Sequence, residues 1–243
     1  MTRIGNSSWA GLVELASKGP VELFHRRLVE LTGFVVILGV AVMVPLAAFN
    51  RAFISIWVGP EGYGGDSLTL LAGANGILLA LFSLWGLVLS GAGHVARVVP
   101  GVVAATLVNI VASIVGTMVL GLPGPLLGTL MAFVSVNSWF YPWLLHRHFQ
   151  VSVKKLIAAV AAPLVIGIPY ALLISWWARA YPPRGWILFG LEMAGSALIF
   201  LLLAWIAIFT SAERTEWVGR MRLLLRPMAR SIVPARLSRV ETS

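Results

Sequence analysis

The sequence predicts an all-α, polytopic transmembrane helix bundle of about six spans, with both termini cytoplasmic. Three observations predict it. Six long apolar runs alternate with short polar breaks. The 243 residues are 59% hydrophobic with a mean hydropathy of +0.91, more apolar surface than a soluble domain can bury. The basic residues sort to alternate breaks. The runs are continuous rather than alternating in polarity, so helices satisfy the backbone in lipid and a β-barrel is excluded.

Residues 1–30 form an amphipathic cytoplasmic or interfacial start. Trp9, Leu12, Val13 and Ala16 recur at helical spacing, Gly19-Pro20 interrupts, and Leu15, Glu22 and Arg26 continue the pattern. Two readings stand: an interfacial helix or cytoplasmic extension of the first span, or the tail of a membrane helix whose earlier partner is missing. Glu14 and Glu22 mixed among Lys18, Arg26 and Arg27 do not make a cleavable signal peptide, so the first span is expected to act as the insertion signal.

Residues 31–209 hold the bundle. Its runs are Leu31–Ile56, Leu68–Gly91, Val98–Leu120, Leu126–Leu145, Leu156–Ala178 and Ile187–Phe209. Each is about 20 residues or longer, enough to cross a hydrocarbon core of ~30 Å. The first outer break, 50–67, places Glu61 and Asp66 among glycines. The second, 121–125, is a Gly/Pro turn. The third, 179–186, carries Pro182 and Pro183 beside Trp176, Trp177 and Trp186, an interfacial belt. Of the 18 Lys and Arg residues, only Arg51, Arg179 and Arg184 fall on this side; the other fifteen fall on the side of the termini, a strong positive-inside bias. The net charge of +9 therefore follows topology, and no nucleic-acid partner is expected.

Residues 210–243 form a basic cytoplasmic tail. Trp217, Met221, Leu224 and Leu225 line one helical face, with Pro227 and Pro234 breaking the pattern. A helix lying on anionic membrane lipids and a solvated tail that enforces topology stand equally.

The chemistry expected of an enzyme is missing. No cysteine is present, and the nine acidic residues form no metal-holding cluster. His146, Arg147 and His148 make a basic knot at an inner helix end; a His-x-His could bind metal or shuttle protons, but no acid lies nearby in sequence to orient a ring, and Arg147 and Lys154 point instead to topology or lipid-phosphate contact. No cofactor or metal is expected, and a membrane enzyme acting on lipid-linked sugars is the weakest of the functional readings.

Polar groups within the runs are the candidate site. Asn75, Asn109, Ser113 and Asn137 are substrate-cavity candidates, and Thr106, Asn109 and Ser113 share one stripe of the third helix. The competing reading is interhelical hydrogen bonding, worth about 0.6–2 kcal/mol per bond. Arg51 and Arg97 are the diphosphate or headgroup candidates, and snorkelling explains them equally well. Glu192 is the acidic residue inside a run, near its outer end. Pro45, Pro163 and Pro169 are positioned to kink their helices.

Several landmarks occur in a familiar order: Phe53-Ile54-Ser55-Ile56-Trp57-Val58-Gly59, then Ser90-Gly91-Ala92-Gly93-His94, then Val99-Pro100 opening a helix that carries Asn109-Ile110-Val111-Ala112-Ser113-Ile114. Leu120-Gly121-Leu122-Pro123-Gly124 and Leu127-Gly128-Thr129 follow. This order, over about residues 5–150, resembles the C-terminal half of a bacterial polysaccharide flippase of the multidrug/oligosaccharidyl-lipid/polysaccharide exporter superfamily. The resemblance implies translocation of a lipid-linked oligosaccharide or polysaccharide precursor across the cytoplasmic membrane. It also implies two lobes around a cationic cavity and alternating access. This chain has spans for one lobe, so a homodimer or a second membrane lobe is the expected partner. The alternative is a non-transporting scaffold subunit of a polysaccharide-synthesis complex.

Overall fold

A computed structural model describes residues 15, 19–209 and 214. The amphipathic positions Trp9 to Ala16 (Leu15 excepted) and the tail helix at Trp217–Leu225 lie outside the described residues. The described secondary structure is helical, and five helices are long and apolar enough to cross a membrane. The chain divides into residues 1–202 and residues 203–243. In the second unit, Arg214 donates to the Phe209 carbonyl at 2.9 Å and the Ile206 carbonyl at 2.6 Å.

Helix α1 (Val21–Trp57) begins directly after Pro20, whose fixed φ suits a helix entrance. Its 37 residues span roughly 56 Å at 1.5 Å per residue. The helix therefore overshoots a core of ~30 Å, and its charged first turns are an extension of the first span. Arg27 and Arg26 pair with Glu30 in that overhang, at 2.6 and 3.3 Å. Phe24, Leu28, Thr32, Val36 and Val40, then Ala41, Pro45 and Phe49, with Ile37 beside them, are its buried positions. Four-residue spacing makes such a row an inclined ridge that fits a neighbour's groove. Helices α2 (Asp66–Gly91) and α6 (Val153–Ala180) pack on either side of α1.

Helix α3 (Val95–Leu120) forms a flank. Only 11% of its apolar window is buried, against 33% for α1, so most of α3 lies on the surface of the bundle. Pro100 does not open this helix as expected. The helix starts one turn earlier, after His94, and Pro100 sits in its second turn.

The fourth run is not one uniform helix. It is α4 (Gly124–Ala132), a π turn (Phe133–Asn137) and α5 (Ser138–Phe149), of 9, 5 and 12 residues. Together they are long enough to span. Side chains serve the carbonyls around the widened turn. Ser135 donates to Met131, Ser138 to Phe133 and Trp139 to Ser135, at 2.6–2.8 Å. Pro142 removes the N–H that would meet the Ser138 carbonyl, immediately after the wide turn. Helix α7 (Trp186–Ala207) meets α1 through Trp186 and Phe189 on Phe53, and meets α6 through Tyr170, whose hydroxyl donates to the Ser196 carbonyl at 2.7 Å.

Packing is uneven along the bundle. At one end α1, α2 and α5 are locked by aromatic contacts: Phe82 stacks on Tyr141, Phe24 meets Phe149, and Trp85 donates to the buried Thr32 hydroxyl at 3.0 Å. His25 bonds the Phe149 carbonyl at 2.6 Å. At the other end, α1 carries Ala47, Ala48, Ala52 and Ser55, and α6 carries Ser175 and Ala178. Short side chains there leave a gap between helices that stay in contact elsewhere.

Candidate functional site

That gap is a cavity of about 350 Å³ between the ends of α1, α2 and α6. Its polar wall is a chain of contacts beginning on α6. Arg179 pairs with Asp66 at 2.9 Å. The Tyr63 hydroxyl donates to the other Asp66 oxygen at 2.5 Å, and the Thr69 hydroxyl lies 3.5 Å from Tyr63. Asn50 donates to Thr69 at 2.8 Å. Partial burial, then the Asp66 hydrogen bond and charge, push the Tyr63 phenol above its ordinary pKa, against smaller opposing effects of Thr69 and Arg51.

Arg51 also lines this cavity. Its guanidinium lies over the Tyr63 ring, 5.8 Å from the centroid, and makes no ion pair among the described residues. The wall therefore carries two guanidiniums and one carboxylate. Arg51 offers N–H donors of the kind that bind phosphate, and Asp66, Thr69 and Tyr63 offer acceptors and donors of the kind that bind sugar hydroxyls. Nothing in the local sequence marks Tyr63, Thr69 and Arg179 as site residues. Arg179 and Asp66 are 113 positions apart, and no local pattern links them.

The neutral amides lie elsewhere. Asn109 donates to the Thr129 hydroxyl at 2.9 Å, and Ser113 donates to Asn109 at 3.1 Å and to the Pro125 carbonyl at 3.4 Å. Both side chains therefore work across the α3–α4 contact. Thr106 turns back to its own helix at Val102. Asn75 is 7% exposed and donates to the Leu126 carbonyl at 2.8 Å, joining α2 to α4, while its Oδ1 is buried without a partner. Asn137 is buried in the π turn. The four form no common lining; α4 gathers the bonds of Asn75, Asn109 and Ser113.

The α3–α4 contact is close because both sides are small. A Cβ on Gly128 would fall on the Ser113 hydroxyl, 2.6 Å from its backbone nitrogen and 2.8 Å from the Asn109 carbonyl oxygen. A Cβ on Gly124 would fall on the Thr117 nitrogen. Gly124 and Gly128 thus form a small-xxx-small seam of the type that lets membrane helices approach.

Arg97 lies at the opposite end from Arg51. Its guanidinium donates to His148 Nε2 at 3.1 Å, and the His94 and His148 rings stack at 4.4 Å. His146 bonds the Val151 carbonyl at 3.0 Å. No group of three or more His, Cys, Asp or Glu able to hold a metal occurs among the described residues. Glu192 places Oε2 out of solvent without a described partner, and neither Arg184 nor Arg179 meets it. Comparison with protein-family models, with curated proteins and with solved structures finds no match for this chain.

Proposed function

We propose that this multi-pass membrane protein translocates a lipid-linked oligosaccharide or polysaccharide precursor across the bacterial cytoplasmic membrane. The observation that carries the reading is the cavity at Arg51. Its volume of about 350 Å³ falls within the ~300–1,000 Å³ typical of small-ligand pockets. It suits one sugar-phosphate portion at a time. In this reading Arg51 attracts the diphosphate, Asp66, Tyr63 and Thr69 receive hydroxyls, and the polyprenyl tail stays in lipid. The end carrying Arg97, Arg147, Lys154 and Lys155 faces the cytoplasm by the positive-inside rule. A second copy, or a second membrane lobe, completes the path. The order of sequence landmarks from Phe53 to Thr129 supports the same reading.

Binding of a polyprenyl-diphosphate sugar to the purified chain tests it, read by quenching of tryptophan fluorescence. Arg51→Gln is expected to weaken binding about tenfold, the loss of one charge-assisted hydrogen bond of about 1.5–3 kcal/mol set against retained contacts. Equal binding by Arg51→Gln and the parent chain removes the cavity from the reading.

A second reading is a non-transporting scaffold subunit of a polysaccharide-synthesis complex. The amide bonds of Asn75, Asn109 and Ser113 favour it, because they tie helices together. Co-purification with a glycosyltransferase, without ligand binding at Arg51, distinguishes this reading from transport.

A further inference from the structure

We propose that the end of the bundle where α2, α3 and α5 meet binds the phosphate of an anionic phospholipid headgroup, held by Arg97 and Arg147 around the stacked His94 and His148. This site is separate from the Arg51 cavity and does not rest on the transport reading.

The cluster joins cationic and protonatable groups from two turns of the fold. His94 ends the α2–α3 turn, which Gly93 shapes with φ +86°, and Arg97 stands in the first turn of α3. Arg147 and His148 come from the last turn of α5, which ends on Gln150 in a left-handed conformation. Arg97 spends one N–H on His148, and a guanidinium has five. Arg147 lies over the Trp143 ring at 5.2 Å. The described carboxylates on this side of the chain, Glu22 and Glu30, are both on α1, and Glu30 is paired with Arg26 and Arg27. His148 lies beyond the apolar run. Its partial burial, then the charges of Arg97, His94 and Arg147, hold its imidazole below the usual range. An anion seated among these groups relieves that repulsion.

The surfaces beside the cluster identify the occupant as a lipid. Val95, Val99, Val102 and Val103 on α3 are exposed, as are Trp139 and Trp143 on α5, and both apolar faces lead away from the cationic end. A free phosphate has no use for those faces. A phospholipid places its headgroup on the cations and its acyl chains along the valines and indoles.

The test uses the full chain in neutral detergent with phosphatidylglycerol, phosphatidylcholine or inorganic phosphate added, read by native mass spectrometry and by melting midpoint. Phosphatidylglycerol is expected to bind and raise the midpoint, and the other two to leave it unchanged. Arg97→Gln/Arg147→Gln is expected to weaken phosphatidylglycerol binding about 30-fold. Lys154→Gln/Lys155→Gln removes the same charge from the exposed start of α6 and is expected to retain binding. Should the double arginine variant misfold, Arg147→Gln alone is expected to lose about fivefold. Equal losses in the arginine and lysine variants overturn the site, as does binding of phosphatidylcholine equal to that of phosphatidylglycerol. Stabilisation by inorganic phosphate equal to that by phosphatidylglycerol overturns the lipid as occupant.

Discussion

Gly128→Ala is the substitution whose effect the packing fixes most firmly. The new methyl meets three atoms of α3: the Ser113 hydroxyl, the Ser113 nitrogen at 2.6 Å and the Asn109 carbonyl oxygen at 2.8 Å. The hydroxyl can rotate away. The other two atoms are backbone inside a helix, so α3 and α4 must separate until those contacts reach ordinary van der Waals distance. Separation also stretches the Asn109–Thr129 and Ser113–Pro125 bonds. Overpacking costs about 1–3 kcal/mol and two weakened membrane hydrogen bonds about 0.6 kcal/mol each, so the expected loss is about 2–4 kcal/mol. The assay is titration with SDS in mixed micelles, followed by tryptophan fluorescence. Gly195→Ala is the control, because a Cβ there has nothing within 4 Å. It is expected to be neutral or to stabilise by about 0.5–1 kcal/mol, the usual gain from replacing a helical glycine. Adding Ser113→Ala to Gly128→Ala is expected to recover only part of the loss, because the two backbone contacts remain. Equal stability of Gly128→Ala and Gly195→Ala would refute the α3–α4 register.

Three further outcomes are expected. Asp66→Asn removes both the charge and the ionic hydrogen bond that raise Tyr63, so its phenol titrates at lower pH in an ultraviolet difference titration. The Arg179 pair is more than half exposed, and its loss costs under about 1 kcal/mol. His148 is held below the ordinary imidazole value of about 6.5. In lipid-free detergent its contribution is therefore complete above that value and lost as pH falls through the lower folded pKa. The protection factors of amides at the α5 end, which are corrected for the intrinsic slowing of exchange in acid, are expected to fall on acidification, and His148→Gln to flatten that dependence. Glu192→Leu replaces a carboxyl oxygen that is buried without a partner, so the melting midpoint is expected to rise.

The sequence carries the helices well and their faces poorly. The apolar runs mark the helices because length and continuity suffice, and four of the five breaks between them carry positive-φ glycines (Gly59 and Gly65, Gly93, Gly121, Gly185), while the fifth turns on Gln150. Which side of α3 turns inward has no such signal. Lipid and protein interior are both apolar, so Val111 and Ile114 suit either, and only small and polar residues report the contact. Asn109 and Ser113 accordingly carry a signal in the sequence, whereas their partners Thr129 and Pro125 are fixed only by the register of α4. The π turn at Phe133–Asn137 leaves composition unchanged, so nothing in the run marks it. Asp66 with Arg179 and His94 with His148 are tertiary pairs, and sequence spacing does not encode them.

Translocation itself is the most direct test of the central reading. The full chain is reconstituted into vesicles containing a fluorescently labelled polyprenyl-diphosphate sugar, and dithionite is added outside. Transport by this chain carries quenching past the outer-leaflet share and close to completion, with Arg51→Gln slowing the second phase. Quenching that stops at the outer-leaflet share, in vesicles proven to contain folded protein, contradicts transport by this chain.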